Sequence, residues 1–398
     1  MAVSGNPTAY TRFSRLVIWP DFLRFFANRM EIQTQGIKYA GSKKELLPQI
    51  LSLVESTGAR TVWDAFSGTT RVSQALAQRD FRVVASDIAV WSEVFGTCWL
   101  LNDREPQEYA ELIDHLNHVP PRDGWFSIHY GRDPDEKERP VWELPDAKKP
   151  FQLKNTQRLD GIREEIDRLK LDPVPRAVAL TSLILALDRV DSTLGHFSSY
   201  LREWSPRSFQ DLNLTLPHLW VNRQKNEVFR GDVFELMPKI HADLAYFDPP
   251  YGSNNEKMPP SRVRYASYYH FWTSVILNDE PELFGKVNRR ADTSDVQAAS
   301  VFEEFRRDPE TNRFLAVEAI QKLLEGTNAR WLLLSYSSGG RATAAELEEV
   351  IHSVGKLRQM LKIDHRKNVM ASMKWTNEWL REEEKKNQEF LFLIEKNE

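Results

Sequence analysis

Cysteine is nearly absent from this chain: Cys98 is the single thiol among 398 residues. That excludes an internal disulfide and a cysteine-built zinc site. A lone thiol of this kind is more often a buried bystander than a nucleophile. Long apolar runs are also lacking, and none approaches the roughly 20 residues that span a bilayer. The stretch Tyr10 to Met30 brings arginines and aromatics, but no apolar core followed by a small-residue cleavage site. The expectation is a cytoplasmic protein with no membrane partner. Positive charge is not in excess either: 53 Lys and Arg face 57 Asp and Glu, a formal net charge of -4. This disfavours a general polyanion binder, although a local basic face suffices for a nucleic-acid enzyme. Internal repeats are missing too, and no metal site is read. What remains is 41% hydrophobic and 28% charged, the composition of a soluble globular protein. The length allows one large domain, or a domain with an insertion. Twelve tryptophans are many, but scattered tryptophans mostly serve cores and interfaces.

The most informative stretch is Ala242-Asp243-Leu244-Ala245-Tyr246-Phe247-Asp248-Pro249-Pro250-Tyr251-Gly252. Its first half is apolar and followed by turn-forming residues, which predicts a buried strand that stops abruptly. The two prolines fix φ and carry no N–H, so the turn is stiff and its carbonyls remain free to accept. Asp248 adds an acceptor, and Tyr251 adds a flat apolar face with a polar tip. Such a turn suits a planar group bearing an NH₂. An ordinary strand-to-loop exit would use the same residue types.

Two further segments belong with it. Lys38-Tyr39-Ala40-Gly41-Ser42-Lys43 precedes an amphipathic helix with Leu46, Leu47, Ile50, Leu51 and Val54 on its apolar side. Ser42 and Glu45 have capping-box spacing, and a helix start near lysines can hold a carboxylate or phosphate. A capped surface helix is the plainer reading. Thr61 to Phe66 reads as a strand, Ser67-Gly68-Thr69-Thr70 as a small-residue turn, Arg71 to Gln78 as a helix and Phe81 to Asp87 as a second strand. An acid about 20 residues after the turn has the spacing that holds a ribose diol. Gly68 stands alone where the dinucleotide fingerprint has three glycines, so a pyrophosphate cradle is not expected. A nucleoside cofactor without phosphates fits, with Asp64 able to hold a cationic or amino group.

From about Asn102 to Asn222 the character changes: proline turns, a charged stretch from Arg132 to Pro150, and helical periodicity at Thr156–Leu169 and Arg176–Val190. Phe197, Tyr200 and Trp204 interleave with Arg202, and Arg207 follows. That mixture suits a nucleic-acid surface or a packed loop. Glu227 to Asp232 reads as a strand ending in an acid. After Gly252 come a polar loop with Arg262 and Arg264, an aromatic cluster (Tyr265, Tyr268, Tyr269, His270, Phe271, Trp272) and a charged stretch, Asp279–Arg313, expected to be a flexible excursion. A buried strand at Arg330–Tyr336, an amphipathic helix at Thr343–Val354, a basic strand at Leu361–Lys367 and a closing strand at Glu389–Ile394 complete the chain.

Strands alternating with helices at both ends predict an α/β, doubly wound sheet with its ligand site at the strand carboxyl ends. Gly68, Asp87, Asp232 and Asp248 would then meet on one rim. In this order the motifs resemble the alpha-group, DPPY-type DNA adenine-N6 methyltransferases, S-adenosylmethionine-dependent enzymes of Rossmann-like fold. Lys38 to Lys43, Asp64 to Thr69, Asp87, Gly231-Asp232-Val233 and Asp248 to Tyr251 match the family's motifs in turn. Leu334-Ser335-Tyr336 and the closing strand also fit. Thr70 departs, standing where many members have a second glycine.

The resemblance implies a Rossmann-like methyltransferase domain over 31–105 and 222–398, an inserted, mainly helical target-recognition region over 106–221 and an N-terminal extension over 1–30. It implies catalysis by Asp248, Pro249, Pro250 and Tyr251, and S-adenosyl-L-methionine binding by Tyr39, Lys43, Asp64, Phe66, Gly68, Asp87, Asp232 and Val233. Asp248 and the Pro249 carbonyl would accept the two N6 hydrogens of a flipped adenine while Tyr251 stacks on the base. Arg202, Arg207, Arg262, Arg264, Arg366 and Lys367 are candidate phosphate contacts. Double-stranded DNA is the expected partner, with a cognate restriction enzyme as a second candidate and a monomer as the expected state. An N4-cytosine methyltransferase and a non-catalytic DNA-binding protein are the alternatives.

Overall fold

The computed structural model describes residues 32–135, 149–201, 203–252, 265–294, 300–304, 306–364 and 388–397. The chain divides into two units, residues 1–33 and 34–398. Only Ile32 and Gln33 of the first are described, and the architecture below is that of the second.

Seven strands form the central sheet: β1 (Thr61–Asp64), β2 (Arg82–Asp87), β3 (Glu227–Arg230), β4 (Leu244–Phe247), β5 (Trp331–Ser337), β6 (Gly355–Asp364) and β7 (Gln388–Lys396). Their spatial order is β3-β2-β1-β4-β5-β7-β6. The first five run parallel, while β7 is antiparallel to both β5 and β6. Burial on both faces explains why β4 reads as an unbroken apolar run: all four of its residues are buried. Strand order reverses between β1 and β4, which pair in register with Asp64 opposite Tyr246. At such a switch point the diverging crossovers leave a crevice beyond the strand ends.

The helices in chain order are α1 (Leu47–Ser56), α2 (Arg71–Ala77), α3 (Val90–Leu100), α4 (Ala110–Asn117), α5 (Trp125–Tyr130), α6 (Leu153–Arg168), α7 (Pro173–Val190), α8 (Val233–Leu236), α9 (Tyr265–Tyr268), α10 (His270–Leu277), α11 (Leu315–Gly326) and α12 (Ala344–Val354). Two cores result. One gathers Phe95 and Trp99 of α3, Leu183 of α7 and Phe271 and Trp272 of α10; the other gathers Phe247, Leu323, Leu334 and Leu347. Helix α7 is apolar on every side because it is buried on nearly every side. The helical region α4–α7 thus shares a continuous core with α3 of the sheet layer. Arg163 of α6, 1% exposed, ties this core together: it donates to the Val275 and Ile276 carbonyls at the end of α10, at 2.6 and 2.9 Å.

Tyr269 and Trp272 of the aromatic cluster after Gly252 are core, each 1% exposed. One expectation changes. Described parts of Asp279–Arg313 are anchored rather than flexible, because buried Arg290 bridges Asp279 and Asp292 at 2.6 and 2.8 Å. Among the described residues no helix is long and apolar enough to cross a membrane.

Candidate active site

Beyond the ends of β1, β2 and β4 lies a cavity of about 660 Å³. Its floor begins with Asp64, the last residue of β1 and 1% exposed. The Ser73 hydroxyl donates to Asp64 Oδ2 at 2.5 Å, whereas Oδ1 has no partner among the described residues. Burial pushes the Asp64 carboxyl up to about 7, against the Ser73 hydrogen bond, and the charges of Asp248 and Asp87 add to the rise. The unpartnered oxygen of a buried acid is costly unless something cationic or donating meets it.

The turn after β1 fixes the next acid. Gly68 takes φ 48°, and its N–H donates to Asp87 Oδ2 at 2.8 Å. The Ala89 N–H holds the other oxygen at 2.9 Å. Burial raises the Asp87 carboxyl above the usual range despite the Ala89, Gly68 and Ile88 amides. Thr70 is the position at which the chain departs from the motif. It takes φ 59°, the left-handed region a glycine enters freely, at a cost of about 1 kcal/mol. Its hydroxyl donates to the Thr69 carbonyl at 2.8 Å and accepts from Gln74 Nε2 at 3.0 Å, which holds it there.

Tyr39 leans on this turn, its ring 3.5 Å from where a Gly68 Cβ would stand. It stacks on Tyr269 and Tyr265 with centroids 4.7 and 5.2 Å away. On the far side, Asp232 caps α8 by accepting from the Phe234 N–H at 2.8 Å, and Val233 is buried behind it. Phe66 meets Phe302 edge-on at 5.3 Å, and Phe302 stacks on Phe234 at 5.6 Å. Sequence reasoning missed Phe302, since it falls in the stretch read as flexible. It also missed Ile88, which follows Asp87, lines the cavity and is 72% exposed. An isolated isoleucine directly after a strand-ending acid carries no distinctive sequence signal.

The end of β4 carries the densest electrostatics. Lys43, 7% exposed, places Nζ 2.9 Å from Asp248 Oδ1 and 3.4 Å from Glu389 Oε1. The Tyr251 hydroxyl contacts Asp248 Oδ1, and it lies 2.5 Å from Glu389 Oε1. Ser335 donates to the same Glu389 oxygen at 2.6 Å. Burial raises the Asp248 carboxyl above its ordinary value, with Lys43 opposing and Glu389 adding. Lys43 is raised despite its burial, because the two carboxylates hold its charge. Tyr251's ring packs on Tyr336, 4.9 Å between centroids. Its carbonyl accepts from the Arg341 N–H at 2.7 Å, which pins the turn. Glu389, missed by sequence reasoning, comes from β7; an acid opening an otherwise apolar strand was the only signal.

Tyr39, Lys43, Asp64, Phe66, Gly68, Asp87, Asp232, Val233, Asp248 and Pro250 all line the cavity, with Pro249 and Tyr251 framing the turn. Of the proposed phosphate contacts only Arg207 is described, and it does not line this cavity. Arg207 commits its guanidinium to Asp191 Oδ1 at 2.6 Å and to the Thr193 carbonyl at 2.6 Å. Arg202, Arg262, Arg264, Arg366 and Lys367 lie outside the described residues.

A doubly wound sheet with an amide-held acid after β2 and an acid-proline-proline-tyrosine turn after β4 defines a Rossmann-like methyltransferase. The match to known proteins agrees: the D12 class N6 adenine-specific DNA methyltransferase family covers residues 39–304, more than half of the chain, and the chain belongs to that family. Modification methylase StsI of Streptococcus sanguinis is 28% identical over 351 residues, 83% of this chain and 48% of its own. Type II methyltransferase M.FokI of Planomicrobium okeanokoites is 25% identical over 348 residues, 83% of this chain and 49% of its own. Type II methyltransferase M.NlaIII of Neisseria lactamica is 21% identical over 329 residues, 80% of this chain and 89% of its own. The chain therefore spans about half the length of the first two.

Proposed function

We propose that this chain transfers a methyl group from S-adenosyl-L-methionine to N6 of an adenine flipped out of duplex DNA. The observation that carries this reading is the meeting of Asp87, with its amide-held carboxylate, and Asp248 of the Asp-Pro-Pro-Tyr turn in one cavity at the switch point. The residues present suit the donor. Asp64 Oδ1, buried and without a partner among the described residues, is a ready acceptor for an ammonium group; Asp87 offers its carboxylate to a diol; Asp232 and Ile88 flank the space a purine would fill. When bound, the donor supplies an electrophilic sulfonium methyl.

The chain's own residues do the rest by positioning and electrostatics. An adenine amine is a weak nucleophile because its lone pair is delocalised into the ring. Asp248 and the Pro249 carbonyl accept its two hydrogens and draw the lone pair toward the methyl. No strong base is required, since the methylated cationic nitrogen loses its proton readily. Flipping costs a few kcal/mol, and region 106–221 is the part of the chain assigned to duplex recognition. The names of the relatives support a modification role beside a cognate restriction enzyme, and we assign the monomer as the active state.

The test is incubation with labelled S-adenosylmethionine and mixed-sequence duplex, followed by digestion to nucleosides. N6-methyladenine is expected. N4-methylcytosine, or no product while the donor binds, would overturn the reading.

A further inference from the structure

Two carboxyl groups crowd one hydroxyl at the end of β4. Tyr251 Oη touches Asp248 Oδ1 on one side and lies 2.5 Å from Glu389 Oε1 on the other. Each gap is of hydrogen-bond length, so each needs a proton in it. A phenol carries only one, and an ionised carboxylate carries none. The Ser335 proton is directed to Glu389 Oε1 at 2.6 Å. The Lys43 protons go to Asp248 at 2.9 Å, Glu389 at 3.4 Å and the Gly41 carbonyl at 3.2 Å. The inventory is one proton short.

We propose that Asp248 and Glu389 together hold one further proton across the Tyr251 hydroxyl, and that Glu389 bears it while Asp248 accepts the substrate amine. The proposal deepens the methyl-transfer reading and rests on it for the role of the amine. It makes the cluster neutral: the Lys43 ammonium cancels one carboxylate, and the other carboxyl is an acid. Two anions sharing one buried site would repel, and retaining a single proton is how such pairs settle.

The geometry chooses which partner keeps it. Lys43 stands closer to Asp248 than to Glu389. An amine donating to Asp248 adds to the same bias. Glu389 then donates to Tyr251 Oη, Tyr251 donates to Asp248, and Asp248 is left anionic toward the cavity. Among the described residues Tyr39, Asp64, Tyr246 and Tyr265 also face the pair. Glu303 and Arg341 flank Gly252. After transfer, an N–H bond of the methylated ammonium breaks and an O–H bond forms on Asp248. Both carboxyls are then neutral, and the surplus proton leaves through the exposed edge of Asp248. Glu389 is in this sense a positioning residue acting through Tyr251.

The decisive measurement is infrared spectroscopy of the free protein at about pH 8.5, where Asp64 and Asp188, held at about 7 and about 6, are ionised. The wild-type protein is expected to show the C=O stretch of a buried carboxylic acid, and Glu389→Gln to lose it. Circular dichroism verifies that the variant is folded. A wild-type spectrum without that band, or a band that survives Glu389→Gln, overturns the proposal. Under turnover, Glu389→Gln replaces a neutral carboxyl by a neutral amide, so the acid limb of the kcat–pH profile, which reports Asp248, is expected to stay in place. A limb that moves down by about one unit, as it would if Asp248 lost a like-charged neighbour, would also count against it. Because the spectrum needs neither DNA nor methyl donor, a band without methylation would fault the proposed function alone, and methylation without a band would fault the shared proton alone.

Discussion

Lys43→Met tests how the buried cluster is held. Lys43 lies 2.9 Å from Asp248 and 3.4 Å from Glu389, and their side chains are 18% and 5% exposed. At an effective dielectric near 20, a unit-charge contact at the Asp248 distance amounts to about 6 kcal/mol before desolvation of the ammonium is subtracted. Breaking a buried pair by removing one partner leaves a net loss of about 3–5 kcal/mol, and the partial exposure of Asp248 places this case near 3. The sign with pH follows from proton uptake. Without Lys43 the folded carboxyls hold protons more tightly than the unfolded chain does. Stability is therefore fully present below the ordinary carboxylate value of about 4 and is lost as pH rises through the higher folded values. Urea denaturation of both proteins at pH 5 and pH 8 is the assay. The difference should be about 3 kcal/mol at pH 8 and less than half of that at pH 5. Equal differences at both pH values would refute the reasoning.

Three further outcomes follow from the same geometry. Asp64 ionises near 7, so its grip on a cationic amino group should tighten S-adenosylmethionine binding as pH rises from 6 to 8. Calorimetry should show that slope in the wild type and a flat profile in Asp64→Asn; a flat wild-type profile would sink the assignment. Gly68→Ala forces a side chain to φ 48° and should cost about 1 kcal/mol of stability. It should also weaken donor binding, because the amide that holds Asp87 shifts; unchanged affinity would mean that the turn does not set the site. Arg163→Met removes the donors to the last carbonyls of α10 and should destabilise the fold by about 2–3 kcal/mol. Thermal melting reads the loss, and a neutral result would show that water replaces the cap.

Much of the site was legible because its residues sit at strand ends marked by local signals. Asp87 and Asp248 each close an apolar run, and small or proline residues adjoin them. The expected helix at Arg176–Val190 begins three residues earlier, at Pro173, since a proline in the first turn is compatible with a helix start. Glu389 was not legible as a partner of Asp248. Its contact depends on β7 running antiparallel to β5, and that sheet order has no local sequence signal. Phe302 was hidden by its charged neighbours, although one buried aromatic is enough to anchor such a stretch. Arg207 read as a DNA contact because loop arginines often are; its commitment to Asp191 emerges only when the chain folds back on the end of α7.

The central claim is that Asp248 directs methyl transfer to adenine N6. Its most direct test is single-molecule sequencing of DNA from a host expressing either the chain or its Asp248→Ala variant, with donor binding by the purified variant measured alongside. The account predicts N6-methyladenine at one recurring sequence context with the wild-type chain, and none with the variant although it still binds S-adenosylmethionine. Methylated adenines at wild-type levels with Asp248→Ala, or none with either protein while both bind the donor, would contradict it.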